Sequence, residues 1–172
     1  VDDLLAGRLD LGFIEGELDK SVNPNLGSHS LEEIEQFVVV GQKHQFWGRK
    51  NITIHELSGQ AFIMRQADSQ TRIWLDQALQ HHNVRPLIAA EFDNVESIKR
   101  SVIMGNTLTI LPEYAVRDEQ AFGILQLVAI DGKPLMRTLK MIWDQRHFFS
   151  PITKSLLTYL QGCFPALREL VA

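Results

Sequence analysis

Short apolar runs and longer amphipathic stretches take turns along the chain, and their two periods separate strands from helices. VDDLLAGRLDLGFI opens as the end of a helix, a turn at Gly7 and a strand, LDLGFI (Leu9–Ile14), short enough to be fully buried. IEQFVVVG (Ile34–Gly41) is a second strand, rich in β-branched residues. In ITIHEL, Thr53 is placed to cap a short helical turn. QAFIMR is then a strand, and SQTRIWLDQALQHH a helix with Leu75, Ala78, Leu79 and His82 at helical spacing. PLIAAEF (Pro86–Phe92) is a strand, and NVESIKRSVIMGN a helix with Asn94 as N-cap and Val95, Ile98, Val102 and Ile103 inward. A left-handed turn at Gly105 or Asn106 is expected to end it. TLTILP is a strand stopped by Pro112, and EYAVRDEQ a short helix. LQLVAI and RTLKMIWDQ are strands about the turn DGKP (Asp131–Pro134). PITKSLLTYLQGCF is a last helix starting near Ser150, with proline just inside it.

Strand–helix–strand alternation of this kind predicts an α/β fold with a largely parallel sheet covered by helices. Ligands in such sheets lie outside the carboxyl ends of strands, where helix N-termini point. Three junctions qualify: RQADSQT, EFDNVES, and EGELDKS after GFI.

At the first junction, Asp68 or Ser69 can simply cap the helix. The same N–H groups and the hydroxyls of Ser69 and Thr71 can also receive a carboxylate or phosphate, aided by roughly 0.3–1 kcal/mol from the helix dipole. Both can hold at once. Arg72, past the helix start, is expected in a surface pair with Asp68 or Asp76, whereas for Arg65 an anion clamp and a surface pair both stand. Asn94 and Ser97 begin the second helix. Glu15 and Glu17 follow a strand and read first as solvated loop acids.

Composition narrows the chemistry. A net charge of −4 argues against this chain gripping a phosphate backbone by itself. The 172 residues are 45% hydrophobic and 22% charged, the balance of a soluble globular domain or two small lobes. No run of residues is long and apolar enough for a bilayer, and the charged opening VDDLLAGRLD carries the expectation of a protein without a secretory signal. The single cysteine, Cys163, fits a cytoplasmic setting. The six histidines make no metal pattern; His81 and His82 are adjacent and point apart. GxSxG, P-loop and GxGxxG motifs are absent, so neither a catalytic group nor a cofactor is expected. Trp47, Trp74 and Trp143 are expected in cores or lobe contacts.

Taken in order, LLAGRLDLGFI, FVVVGQKHQF, FIMRQADSQTRIWLDQAL and PLIAAEFDNVESIKRSVIMGNTLTILPEYAV resemble the effector-binding domain of LysR-type bacterial transcriptional regulators. The resemblance covers essentially the whole chain. It implies two Rossmann-like lobes joined by two crossover strands, FVVVG and LQLVAI, as in type 2 periplasmic binding proteins. Lobe I would hold residues 1–38 and 131–172, lacking its first strand–helix–strand; lobe II would hold residues 39–130.

The resemblance further implies a small effector held between lobes. Its contacts would be Arg65, Gln66, Ser69, Gln70 and Thr71 of the first junction, Asn94 and Ser97 of the second, with Thr107 and Glu15. The family's RExGSGTR-like loop is RQADSQTR here, and its GLGI before LP is GNTLTILP, which makes a narrower, more polar pocket. The expected function is sensing of an anionic metabolite by a cytoplasmic regulator, a homodimer or homotetramer, with DNA read by a winged helix-turn-helix absent from this chain. A hundredfold preference of the effector for one lobe arrangement supplies about 2.7 kcal/mol to drive the switch. A solute-binding protein for a small anion shares the fold and stands as the alternative; an enzyme related to prephenate dehydratase ranks lower, for want of an acid–base or nucleophile–base group.

Overall fold

A computed structural model describes residues 1–17 and 24–168. In chain order the elements are α1 (Asp2–Leu5), β1 (Leu11–Glu15), β2 (Leu26–Gly41), β3 (Asn51–Ile52), β4 (Ala61–Arg65), α2 (Gln70–His81) and β5 (Leu87–Phe92). There follow α3 (Val95–Met104), β6 (Leu108–Pro112), α4 (Arg117–Ala121), β7 (Leu125–Ile130), β8 (Leu135–Asp144) and α5 (Pro151–Leu160). The fold is α/β.

The chain divides into two compact units, Val1–Ile34 with Arg137–Ala172, and Glu35–Met136. Both divisions fall inside strands, one in β2 and one in β8. The second strand to pass between units is therefore β8; LQLVAI, expected in that part, is β7 and lies wholly in the second unit. It is held there by antiparallel pairing with Val38–Gly41 and parallel pairing with β3.

In the first unit, β1 pairs antiparallel with β8, from Leu11↔Trp143 to Glu15↔Leu139. Alternating side chains of β8 face two cores: Ile142 packs with Leu4 and Leu26, and Met141 with Leu157 of α5 and Leu167. The strand expected to be buried, β1, is only half covered, with Phe13 45% exposed. Ser150 caps α5 by accepting the Thr153 N–H at 3.2 Å.

In the second unit the strand order is β3-β7-β2-β6-β4-β5. β4 is parallel to β5 and β6, but β2 runs antiparallel to both β6 and β7. The sheet is thus mixed where a largely parallel one was predicted, because β2 brings the chain in from the first unit against the direction of the strand–helix–strand repeats. Phe62 and Met64 of β4 join Leu75 and Leu79 of α2 in one core, while Ile63 joins Ile98 and Val102 of α3 in another. The two helices therefore cover opposite faces of the sheet. A Cβ on Gly41 would lie 2.6 Å from the Val102 carbonyl oxygen, so glycine lets β2 and α3 approach. α3 does not end in a left-handed turn: Gly105 is extended, at φ −103°, and a Cβ there would crowd the Thr107 hydroxyl at 3.2 Å.

Candidate functional site

Parallel β4 and β5 finish together, with Arg65 in register with Phe92. Each strand then hands over to a helix: Ser69 caps α2 and Asn94 caps α3. Two helix N-termini, on opposite faces, thus open off one carboxyl edge, the place where open α/β sheets hold ligands.

The caps form as local chemistry dictates. Ser69 is extended, its Oγ accepts the Arg72 N–H at 3.1 Å, and its own N–H donates to the Gln66 carbonyl at 3.0 Å. The Gln70 N–H, at the first helical position, has no acceptor within the helix. Thr71 is half-buried in the first turn, and Gln66 and Gln70 are exposed. Asn94 Oδ1 accepts the Ser97 N–H at 2.8 Å, while its Nδ2 donates to Asp93 Oδ1 at 2.8 Å. Ser97 is half-buried beside it.

Charge is distributed unevenly over this edge. Arg72 is 6% exposed, not a surface residue as expected. It does take Asp76, at 2.8 Å, but its Nη1 also donates to Glu91 Oε1 at 2.7 Å and to the Arg65 carbonyl at 3.0 Å. Burial works against its charge, and the bonds to Glu91 and Asp76 outweigh this, raising its pKa above the usual arginine value. Lys99 of α3, 7% exposed, likewise holds Glu96 and Glu119, each at 2.7 Å. Burial opposes its charge too, and the two carboxylates raise its pKa overall. Arg65 has no ion pair among the described residues, and its Nε is buried without a hydrogen-bond acceptor. A buried guanidinium N–H left unmatched costs free energy unless an anion or water fills the place.

Two of the expected site residues do not join this edge. Thr107 precedes β6, whose Leu108 is in register with Phe62, so it lies by the amino end of β4, away from Arg65. The sequence could not reveal this without strand direction; Thr107 Oγ1 is buried there without a partner. Glu15 belongs to the first unit and is no solvated loop acid: it ends β1 and binds Arg137 at 2.9 Å, while Glu17 binds Lys140 at 2.5 Å. Ser21 and the rest of that junction beyond Glu17 lie outside the described residues. Missed in the sequence were Glu91 and the burial of Arg72; the i,i+4 spacing of Arg72 and Asp76 was the one readable signal.

A cavity of about 230 Å³ lies at the far end of α2, lined by Leu79, Asn83 and Pro86 among others, and does not include Arg65 or Ser69. Among the described residues, no three His, Cys, Asp or Glu side chains are grouped to hold a metal. No helix among them is long and apolar enough to cross a membrane.

Comparison with known proteins agrees with the architecture. The uncharacterized HTH-type transcriptional regulator YeiE of Escherichia coli K12 is 29% identical over 165 residues, 92% of this chain and 52% of its own length. The chain spans about half the length of the curated relatives it matches. The regulatory domain of Synechocystis PCC6803 CcmR, solved in complex with 2-PG, superimposes with a TM-score of 0.83 at 24% identity, covering 95% of this chain and 77% of that one. The effector binding domain of QuiR, solved in complex with shikimate, gives 0.80 at 19% identity, covering 98% and 75%. These likenesses establish the fold, that of type 2 periplasmic binding proteins. Residues 1–164 match the LysR substrate binding domain, and the chain belongs to that family.

Proposed function

We propose that this chain is the effector-sensing domain of a LysR-type transcriptional regulator, and that it binds a small anionic metabolite, a carboxylate or phosphate, without transforming it. The anion sits at the carboxyl edge of β4 and β5. Arg65 supplies the guanidinium, Ser69, Gln70 and Thr71 the N–H groups and hydroxyls of the α2 N-terminus, and Asn94 and Ser97 line the opposite side. Gln66 flanks the entrance. Binding modulates DNA recognition by a winged helix-turn-helix outside this chain, in a cytoplasmic homodimer or homotetramer.

The observation that carries this reading is the buried Nε of Arg65, which lacks an acceptor; Arg65 is the last residue of β4, the strand whose carboxyl end leads into α2 and its unpaired first N–H groups. The buried cations nearby, Arg72 and Lys99, already hold two carboxylates each, so Arg65 is the cation that gains most from an incoming anion. The ligands of the CcmR and QuiR domains, 2-PG and shikimate, suggest the ligand's size and class.

Calorimetry with 2-PG, shikimate and inorganic phosphate tests the proposal. Saturable binding of at least one, with amide shifts at Ser69–Thr71 and Ser97, is the expected result. Binding that leaves those amides unmoved would place the site elsewhere.

A further inference from the structure

We infer that Arg72 is a positioning residue that sets anion affinity at the β4–α2 junction without touching the anion. The inference rests on the anion reading of Arg65 and Ser69 proposed above. Arg72 reaches every element that meets there. Its guanidinium donates from Nη1 to the Arg65 carbonyl at 3.0 Å and to Glu91 of β5 at 2.7 Å. Nε donates to Asp76 one turn along α2, at 2.8 and 3.0 Å, and its own N–H is the one that Ser69 accepts. The side chain thus ties the last carbonyl of β4 to the neighbouring strand and to the second turn of α2, while the backbone N–H of the same residue closes the Ser69 cap. Its Nε and Nη1 are directed at protein acceptors, and the residue is buried.

The side of the sheet matters. Glu91 is in register with Met64, whose side chain lies in the α2 core, so Arg72 works from the α2 face. Arg65, one residue on, projects to the other face by strand alternation. Arg72 therefore holds Arg65 by its main chain and leaves the Arg65 guanidinium to an outside anion. Releasing the clamp frees the Arg65 peptide to rotate and unties the first turn of α2 from β4 and β5, and the two anion contacts lose their common geometry.

Position and plain charge give opposite signs for one substitution. Glu91→Ala removes a negative charge near the site, which on electrostatics alone tightens anion binding. If Glu91 serves as the anchor of Arg72, the same change weakens it. The 172-residue chain and its Arg72→Gln and Glu91→Ala variants are titrated with inorganic phosphate, followed by the amide shifts of Ser69, Gln70 and Thr71, with amide hydrogen exchange in parallel. Both variants are expected to weaken phosphate, Arg72→Gln by about tenfold or more, as loss of charge-assisted bonds implies. Exchange at Ser69 and Ile73 should quicken while Val38–Val40 stay protected. Tighter or unchanged phosphate binding in Glu91→Ala would overturn the inference. Should the unsubstituted chain show no phosphate shifts, the anion reading fails by itself, and exchange alone decides. Faster exchange confined to Ser69 and Ile73 in both variants then upholds the clamp. Unchanged exchange there, or loss of protection shared by Val38–Val40, refutes it.

Discussion

The Ser69 hydroxyl accepts the backbone N–H of Arg72 at 3.1 Å, the bond with which α2 begins. The cap and the proposed anion contact thus share one side chain, and stability and affinity can be separated by substitution. Ser69→Ala with Thr71→Ala should lower unfolding free energy by about 1 kcal/mol, the usual worth of a cap. It should weaken phosphate or shikimate by much more than that loss predicts. Urea unfolding and calorimetry on the same samples measure both; unchanged affinity with a lost cap would leave Ser69 a structural residue only.

Arg65 offers the converse case. With no ion pair among the described residues and its Nε unmatched, it has little to lose on replacement. Arg65→Gln should leave unfolding free energy within about 0.5 kcal/mol of the parent, as for a residue outside any network. Anion affinity should fall by about tenfold or more, the worth of a charge-assisted hydrogen bond. Marked destabilisation in place of lost affinity would mean that Arg65 holds the fold.

What the sequence revealed and what it hid follow from chain distance. Asn94 was readable as a cap, Ser69 as one of two candidates with Asp68, and Ser150 as a helix start, because each bonds an N–H three residues on. The inward stripe Ile98 and Val102 was readable by period. Glu91 on Arg72 and Glu15 on Arg137 were not, since they need strand partners 19 and 122 residues apart. Thr107 failed for a related reason. Polarity beside a strand shows that a residue lies at a sheet end, and only the direction of that strand says which end. The resemblance of RQADSQTR to a family loop pointed to the carboxyl edge of β4, whereas the burial of Arg72 within that loop had no local mark.

His44 gives the chain a pH dependence of its own. It is 5% exposed in the turn after β2, and its Nδ1 accepts the Phe46 N–H at 3.1 Å, which requires the neutral ring. Burial lowers its pKa below the ordinary 6.5. The unfolded chain therefore takes up this proton more readily, so the stability the neutral ring contributes is complete above pH 6.5 and declines as pH falls below it. The urea midpoint should drop between about pH 7 and 5.5, within the range where an unperturbed histidine titrates. In His44→Gln that slope should flatten. An equal slope in both proteins would assign the loss to other groups.

Gly41 tests how closely the second unit is packed. Its missing side chain is the space where α3 meets the end of β2, and a Cβ would lie 2.6 Å from the Val102 carbonyl oxygen and 3.3 Å from Ile103 Cα. Both are backbone atoms, so no rotamer change relieves the overlap; the helix itself must shift. Gly41→Ala should therefore cost about 1–3 kcal/mol, the range for overpacking a well-filled core. Gly48→Ala, at a turn where nothing lies within 4 Å but φ is +83°, serves as a comparison in which backbone strain acts without a steric clash. Moving α3 off β2 also displaces Asn94 and Ser97 at its other end. Gly41→Ala should accordingly alter the Ser97 amide shift and weaken phosphate, whereas Gly48→Ala should lower stability alone. Equal effects of the two on phosphate would mean that α3 contributes nothing to the anion.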